Sequence, residues 1–166
     1  ENFIHHTYRN FSINDFEKAI IYLISKGYKV IRVGSHPESK ANFTHSNYID
    51  YANSNYQNDF MDVLIMSNAQ FCIFGCSGIL DIPLMFDVPL LRLNYIPLYD
   101  IFKDKFKHSI IFKKYYDIKK KKILSIEEVF ERNLHNLYYS EQYNDHEIRL
   151  IDNSTDEILS LVKEFE

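Results

Sequence analysis

The run Phe71-Cys72-Ile73-Phe74-Gly75-Cys76-Ser77-Gly78 constrains the fold more than any other part of the chain. Apolar residues without polar alternation fit a strand buried on both faces, and the glycine after them ends it. Cys76-Ser77-Gly78 then turns into an apolar stretch of helical character, and Pro89 to Leu93 reads as the next strand. Strand, glycine turn, helix and strand make a βαβ unit, whose right-handed crossover requires parallel strands with a helix packed against them.

The alternation continues on both sides. Asn14 to Lys26 places Phe16, Ala19, Ile20, Leu23 and Ile24 on one helical face, with Asn14 and Glu17 spaced as a capping box and Gly27 at the stop. Tyr28 to Gly34 reads as a buried strand, a polar loop follows from Ser35 to Ser46, and Tyr48 to Tyr51 gives a further strand. Asp59 is placed to cap a helix running to about Ser67, and Ser109 to Phe112 reads as a short strand. Ser125 with Glu128 opens a helix to about His135, and Ser154 with Glu157 opens the last helix. The expected fold is α/β, a Rossmann-like open parallel sheet with helices on both faces. Such sheets bind ligands outside the carboxyl ends of their strands, here the loops after Gly34, Gly75 and Leu93.

A length of 166 residues suits a single domain, and 46% hydrophobic with 25% charged residues is the balance of a globular protein. The apolar stretch from Ile79 to Met85 is broken by Asp81 and Pro83 and falls far short of the roughly 20 residues of a membrane span. The opening residues lack a signal-peptide pattern, so a cytoplasmic location is expected. A net charge of -4 argues against nucleic acid as a partner. Cys72 and Cys76 read as buried thiols, poorly placed to bridge.

A strand that delivers Ser77 and Gly78 to a turn aims backbone N–H groups and a hydroxyl at one point, an arrangement suited to phosphate. The bland alternative is that Ser77 caps a helix and Gly78 only turns the chain. Five arginines stand against fourteen lysines, so Arg9, Arg32 and Arg92 stand out, because a guanidinium grips phosphate bidentately and an ammonium does not. Arg9 lies between two histidines and the first helix, with a surface salt bridge as its alternative role. Arg32, mid-strand beside Gly34 and Ser35, fits either an ion pair or a ligand contact. His5 and His6 are candidates for a general base; adjacent in a strand, they would point to opposite sides and share no metal. Asp59 and Asp62 read as helix cap and first-turn charge, so metal independence is expected. Lys103 to Lys122 holds nine lysines, either a solvated surface or a face toward anionic lipid.

The order DFxDxxLxxxAxFxxxxxSGxxxxPxxFxxPxxxxN is matched by Asp59 to Asn94, with Ile65 in place of the first Leu. With His5-His6-Thr7-Tyr8-Arg9-Asn10 and Tyr28 to Gly34 upstream, it resembles a family of bacterial surface-polysaccharide glycosyltransferases and, more distantly, the nucleotide-sugar half of GT-B enzymes. The resemblance implies one nucleotide-sugar-binding domain, completed by an N-terminal domain of the same chain. It implies that Ser77 and Gly78 contact the donor diphosphate, with Cys76, Arg9, Arg32, Gly34 and Ser35 around it, and that the acceptor is a glycan or lipid-linked. Heptosyltransferase-like proteins carry an acidic residue where this chain has Cys76, so no catalytic role passes to that position. A non-hydrolysing nucleotide-sugar epimerase and a non-catalytic Rossmann-like binding module are the rival readings.

Overall fold

The computed structural model describes residues 4–34, 39–98 and 108–166. Ser35 and the first part of the lysine-rich stretch lie outside them. The architecture is α/β, as the alternation of periods implied.

Its centre is a three-stranded parallel sheet in the order β3-β4-β5, formed by Cys72–Phe74, Leu90–Tyr95 and His108–Phe112. Every residue of β4 is buried, as expected of a middle strand covered on both faces. Alternate side chains go to opposite layers. Leu91 and Leu93 pack with Ala19, Ile20 and Leu23 of α1 (Glu17–Ser25) and with Ile158, Val162 and Phe165 of α6 (Thr155–Phe165). Leu90, Cys72 and Tyr95 pack with Met66 of α2 (Asp59–Ser67) and with Ile82 and Leu84 of α3 (Asp81–Met85).

Two short parallel strands, β1 (Val30–Ile31) and β2 (Tyr48–Ile49), pair separately. They are shorter than the sequence suggests because the chain leaves the ladder early. Arg32 N–H still reaches Ile49 O at 2.9 Å, but Gly34 then turns at φ 132 and Tyr51–Asn53 forms a 3-10 turn. Arg32 therefore follows a strand and does not sit within one.

Two expected caps move by a residue or two. Ser12, not Asn14, opens the first helical segment, its Oγ accepting from Asn14 N–H at 3.2 Å, while the Asn14 side chain accepts from Asn42 N–H at 2.9 Å. Asn58, not Asp59, caps α2 by accepting from Met61 N–H at 3.0 Å. The boxes at Ser125 and Ser154 form as expected; α4 (Ile126–Glu131) stops at Arg132, and Asn133 turns left-handed before a separate 3-10 turn, Leu134–Asn136. Residues 4–9 form a 3-10 segment, kinked at His6, which removes the strand expected at His5 and His6.

A second, antiparallel sheet was not expected. It has the order β7-β6-β8, from Lys122–Ile123, Lys114–Asp117 and Ile148–Ile151. Tyr115 and Ile148 turn inward from it and join Val129, Leu134, Tyr143 of α5 (Ser140–Asp145), and Ile96 and Leu98 beyond β4, in a separate apolar cluster. Tyr8 completes that cluster and so fastens the N-terminal segment to this layer.

Two polar devices lock the layers. Asn94, left-handed at φ 52 where the β4–β5 register slips, accepts from Asn153 N–H at 2.5 Å, and Asn153 Oδ1 accepts from Asn94 N–H at 2.7 Å. Lys113, only 5% exposed, donates to Asn10 O at 2.6 Å and pairs with Asp152 at 2.8 Å.

Candidate functional site

The turn after β3 exists because Cys72 is buried in the sheet, Ile73 and Phe74 pack partly buried against its two layers, and Gly75 releases the chain at the carboxyl end. Gly75 is buried, and a Cβ there would overlap the Phe11 ring. The residue linking the N-terminal segment to α1 thus lies directly over the strand end. Gly78 differs: it is exposed, and a Cβ built on it meets nothing within 4 Å. Packing therefore gives no reason for a glycine at 78, whereas it demands one at 75.

Ser77 does cap, its Oγ accepting from Ile79 N–H at 3.3 Å over the 3-10 turn Gly78–Leu80. The chain restarts as α3 at Asp81, which accommodates Pro83. The hydroxyl proton of Ser77 is not used in that cap, because a serine hydroxyl has one donor as well as its acceptor lone pairs. Cys76 is half-exposed, a correction to the expected buried thiol; Cys72 is buried, which pushes its thiol up to about 11.

Arg9, from the N-terminal segment, lies against Tyr8 and Tyr138. Its Nε donates to Tyr8 Oη at 2.9 Å, and its guanidinium lies 5.2 Å from the Tyr8 ring centroid and 5.1 Å from that of Tyr138. Burial opposes its charge, but hydrogen bonds to Tyr138 and Tyr8 and the field of the Cys76 thiol outweigh burial and raise its pKa further. Tyr8, buried, is pushed up to about 12 by loss of water, in spite of the Arg9 hydrogen bond. The result is a permanent cation, oriented by two phenols and within electrostatic range of Cys76.

His6 stacks on Tyr139 at 5.6 Å and meets Tyr138 edge-on at 5.4 Å. Burial, then the charge of Arg9, then His5 lower its pKa, and its Nδ1 is buried without a hydrogen-bond partner. A neutral imidazole can accept a proton, so His6 has the ionisation state of a base. His5 instead faces solvent, with Nδ1 3.8 Å from Glu141.

Comparison with family models, with curated proteins and with solved structures finds no match to this chain.

The structure gathers His6 and Arg9 around Tyr8 and Tyr138, sets Arg9 within electrostatic range of Cys76, and commits the other candidates elsewhere. Arg32 donates to Ser39 O at 2.6 Å and pairs with Asp50 at 3.5 Å, so its ion-pair role is realised. Gly34, half-exposed beside it, has open space around a built Cβ. Arg92 is 3% exposed in β4, 5.6 Å from the Tyr95 ring centroid, inside the sheet and not at its edge. Among the described residues no group of three His, Cys, Asp or Glu is placed to hold a metal. A shallow groove of about 360 Å³ along α6 is lined by Asp156, Glu157 and Glu164, the wrong sign for a polyanion.

Tyr8, Tyr138 and Phe11 were missed as site-building residues. Tyr138 lies 129 positions from Arg9 in the chain, and a tyrosine-rich composition masks its role; only the fold brings the pair together. The adjacency of Tyr8 to Arg9 was the one local signal.

Proposed function

We propose that this chain is the donor-binding domain of a glycosyltransferase and has the Rossmann-like layout of one half of a GT-B enzyme. It holds the diphosphate of a nucleotide-sugar between the Arg9 guanidinium and the Cys76-Ser77-Gly78 turn. The supporting observation is an oriented, permanently charged arginine within electrostatic range of Cys76, in a turn at the carboxyl end of a parallel strand and beside a glycine that packing does not require. A guanidinium there would balance charge growing on the departing nucleoside diphosphate, and Ser77 Oγ would donate its free hydrogen to a phosphate oxygen. The sugar passes to a surface glycan or a lipid-linked acceptor carried by a second domain, with no metal required. The chain alone should bind a nucleotide and not turn over.

Calorimetric titration with UDP, GDP and CMP tests this reading. One nucleotide should bind saturably, and Arg9→Ala or Ser77→Ala should weaken it by about tenfold or more, as for a lost charge-assisted hydrogen bond. Gly78→Val is the sharpest variant: the fold has room for the side chain, so stability should hold while the nucleotide is excluded. Equal affinity in all three variants, or no binding to any nucleotide, would refute it.

A further inference from the structure

The turn joining β6 to β7 carries Ile118-Lys119-Lys120-Lys121-Lys122-Ile123. It is held firmly at its base. Asp117, 4% exposed, accepts from Lys120 N–H at 2.7 Å and from Arg132 at 2.7 Å, and Ile118 N–H bonds Glu147 O at 3.0 Å. On this fixed tip Ile118 is 51% and Ile123 52% exposed. Ile123 pairs with Tyr116, and Tyr116 with Arg149, so these three share one face of the sheet, with Arg149 4.7 Å from the Tyr116 ring centroid. Lys119 pairs with Glu147 and Lys122 with Glu128, but among the described residues no ion pair holds Lys120 or Lys121.

A solvated lysine surface has no use for two bare isoleucines on a rigid tip, and a nucleic-acid site would need positive charge without them. One surface satisfies both features: ammonium groups meet anionic headgroups while the isoleucines enter the acyl boundary and the lysine stems follow them. We propose that the β6–β7 tip docks this protein on an anionic lipid bilayer. The exposed carboxylates of Glu127 and Glu131 on neighbouring α4 confine the contact to the tip. It shares no residue with the Arg9 and Ser77 site and stands whether or not that site binds a nucleotide.

The test is co-sedimentation of the whole chain with phosphatidylcholine vesicles and with phosphatidylcholine–phosphatidylglycerol vesicles. Binding is expected only to the anionic ones, weakened about 30-fold by Lys120→Gln with Lys121→Gln, from about fivefold per lysine near such a surface. Ile118→Ser with Ile123→Ser should weaken it about tenfold or more. The chain has no tryptophan, so Ile123→Trp supplies a single reporter whose emission should shift to the blue on anionic vesicles. Met85→Ser, at a site 79% exposed, should bind as the unaltered protein does. The proposal is overturned by absent binding to anionic vesicles at low salt, or by binding that neither pair alters. An unshifted reporter overturns it too, as does a preference for single-stranded RNA that depends on the lysines alone.

Discussion

Removing the Asn153 side chain should unfasten the parallel sheet from α6. In the folded protein Asn153 Oδ1 is the acceptor for Asn94 N–H at 2.7 Å, and its Nδ2 donates to Phe112 O at 2.9 Å. Asn94 is 0% and Asn153 2% exposed, so water does not replace the bond between them without opening the core. Asn153→Ala leaves one donor and one acceptor orphaned, at about 1–3 kcal/mol each, for a loss of about 4 kcal/mol in total. In a domain of this size that is a fall of about 12 °C in Tm. Urea unfolding followed by circular dichroism measures it. Asn94→Gly removes the reciprocal acceptor while easing the positive φ of 52, and the double variant should cost less than the sum of the two, because both act on one closed pair. A loss below about 1 kcal/mol for Asn153→Ala would refute the reasoning, since it would mean the orphaned groups find other partners.

Other outcomes follow from the same structure. Gly75→Ala should destabilise by about 1–3 kcal/mol through the Phe11 ring, as in an overpacked core, whereas Gly78→Ala should be neutral in the same urea titration. Glu157 is held below its ordinary 4.5, first by Lys114, so it contributes stability that is complete above pH 4.5 and lost as pH falls through its folded value; Glu157→Gln should flatten that acid limb. Burial raises Cys72 from 9.0 to about 11, so its contribution is complete below pH 9.0 and lost as pH rises through about 11; Cys72→Ala should remove that alkaline decline in a pH series of melts. Ile158→Ala, at a fully buried position of α6, should cost about 2–5 kcal/mol by calorimetry.

The parallel core was legible because its signals are local. Phe71 to Phe74, the glycine after it and the boxes at Ser125 and Ser154 each act within a few residues, and they form close to where the sequence puts them. The antiparallel sheet was hidden by charge: Tyr115 and Asp117 turn inward with a period of two, but Lys114 and the lysines after Asp117 make the segment read as surface. The caps at Asn14 and Asp59 were misplaced by one or two residues because several residues there can cap, and tertiary contacts decide which does. At the site, the turn at Ser77 and Gly78 could be read, and so could the separate interest of Arg9. The setting of Arg9 could not, since it depends on Tyr8 and Tyr138 both being folded against the guanidinium.

Because Thr7 and Ser140 bond side chain to side chain across 133 positions, the Arg9 cradle waits on residues made long after Arg9 itself. A ribosome adding about 5–20 residues per second leaves an interval on the order of ten seconds in which Arg9 exists without Tyr138. During that interval the turn at Ser77 can emerge and its strand can pair, yet Arg9 lacks half of its aromatic support. The aromatic support of Arg9 would therefore be completed late, only after Tyr138 has been made and folded back.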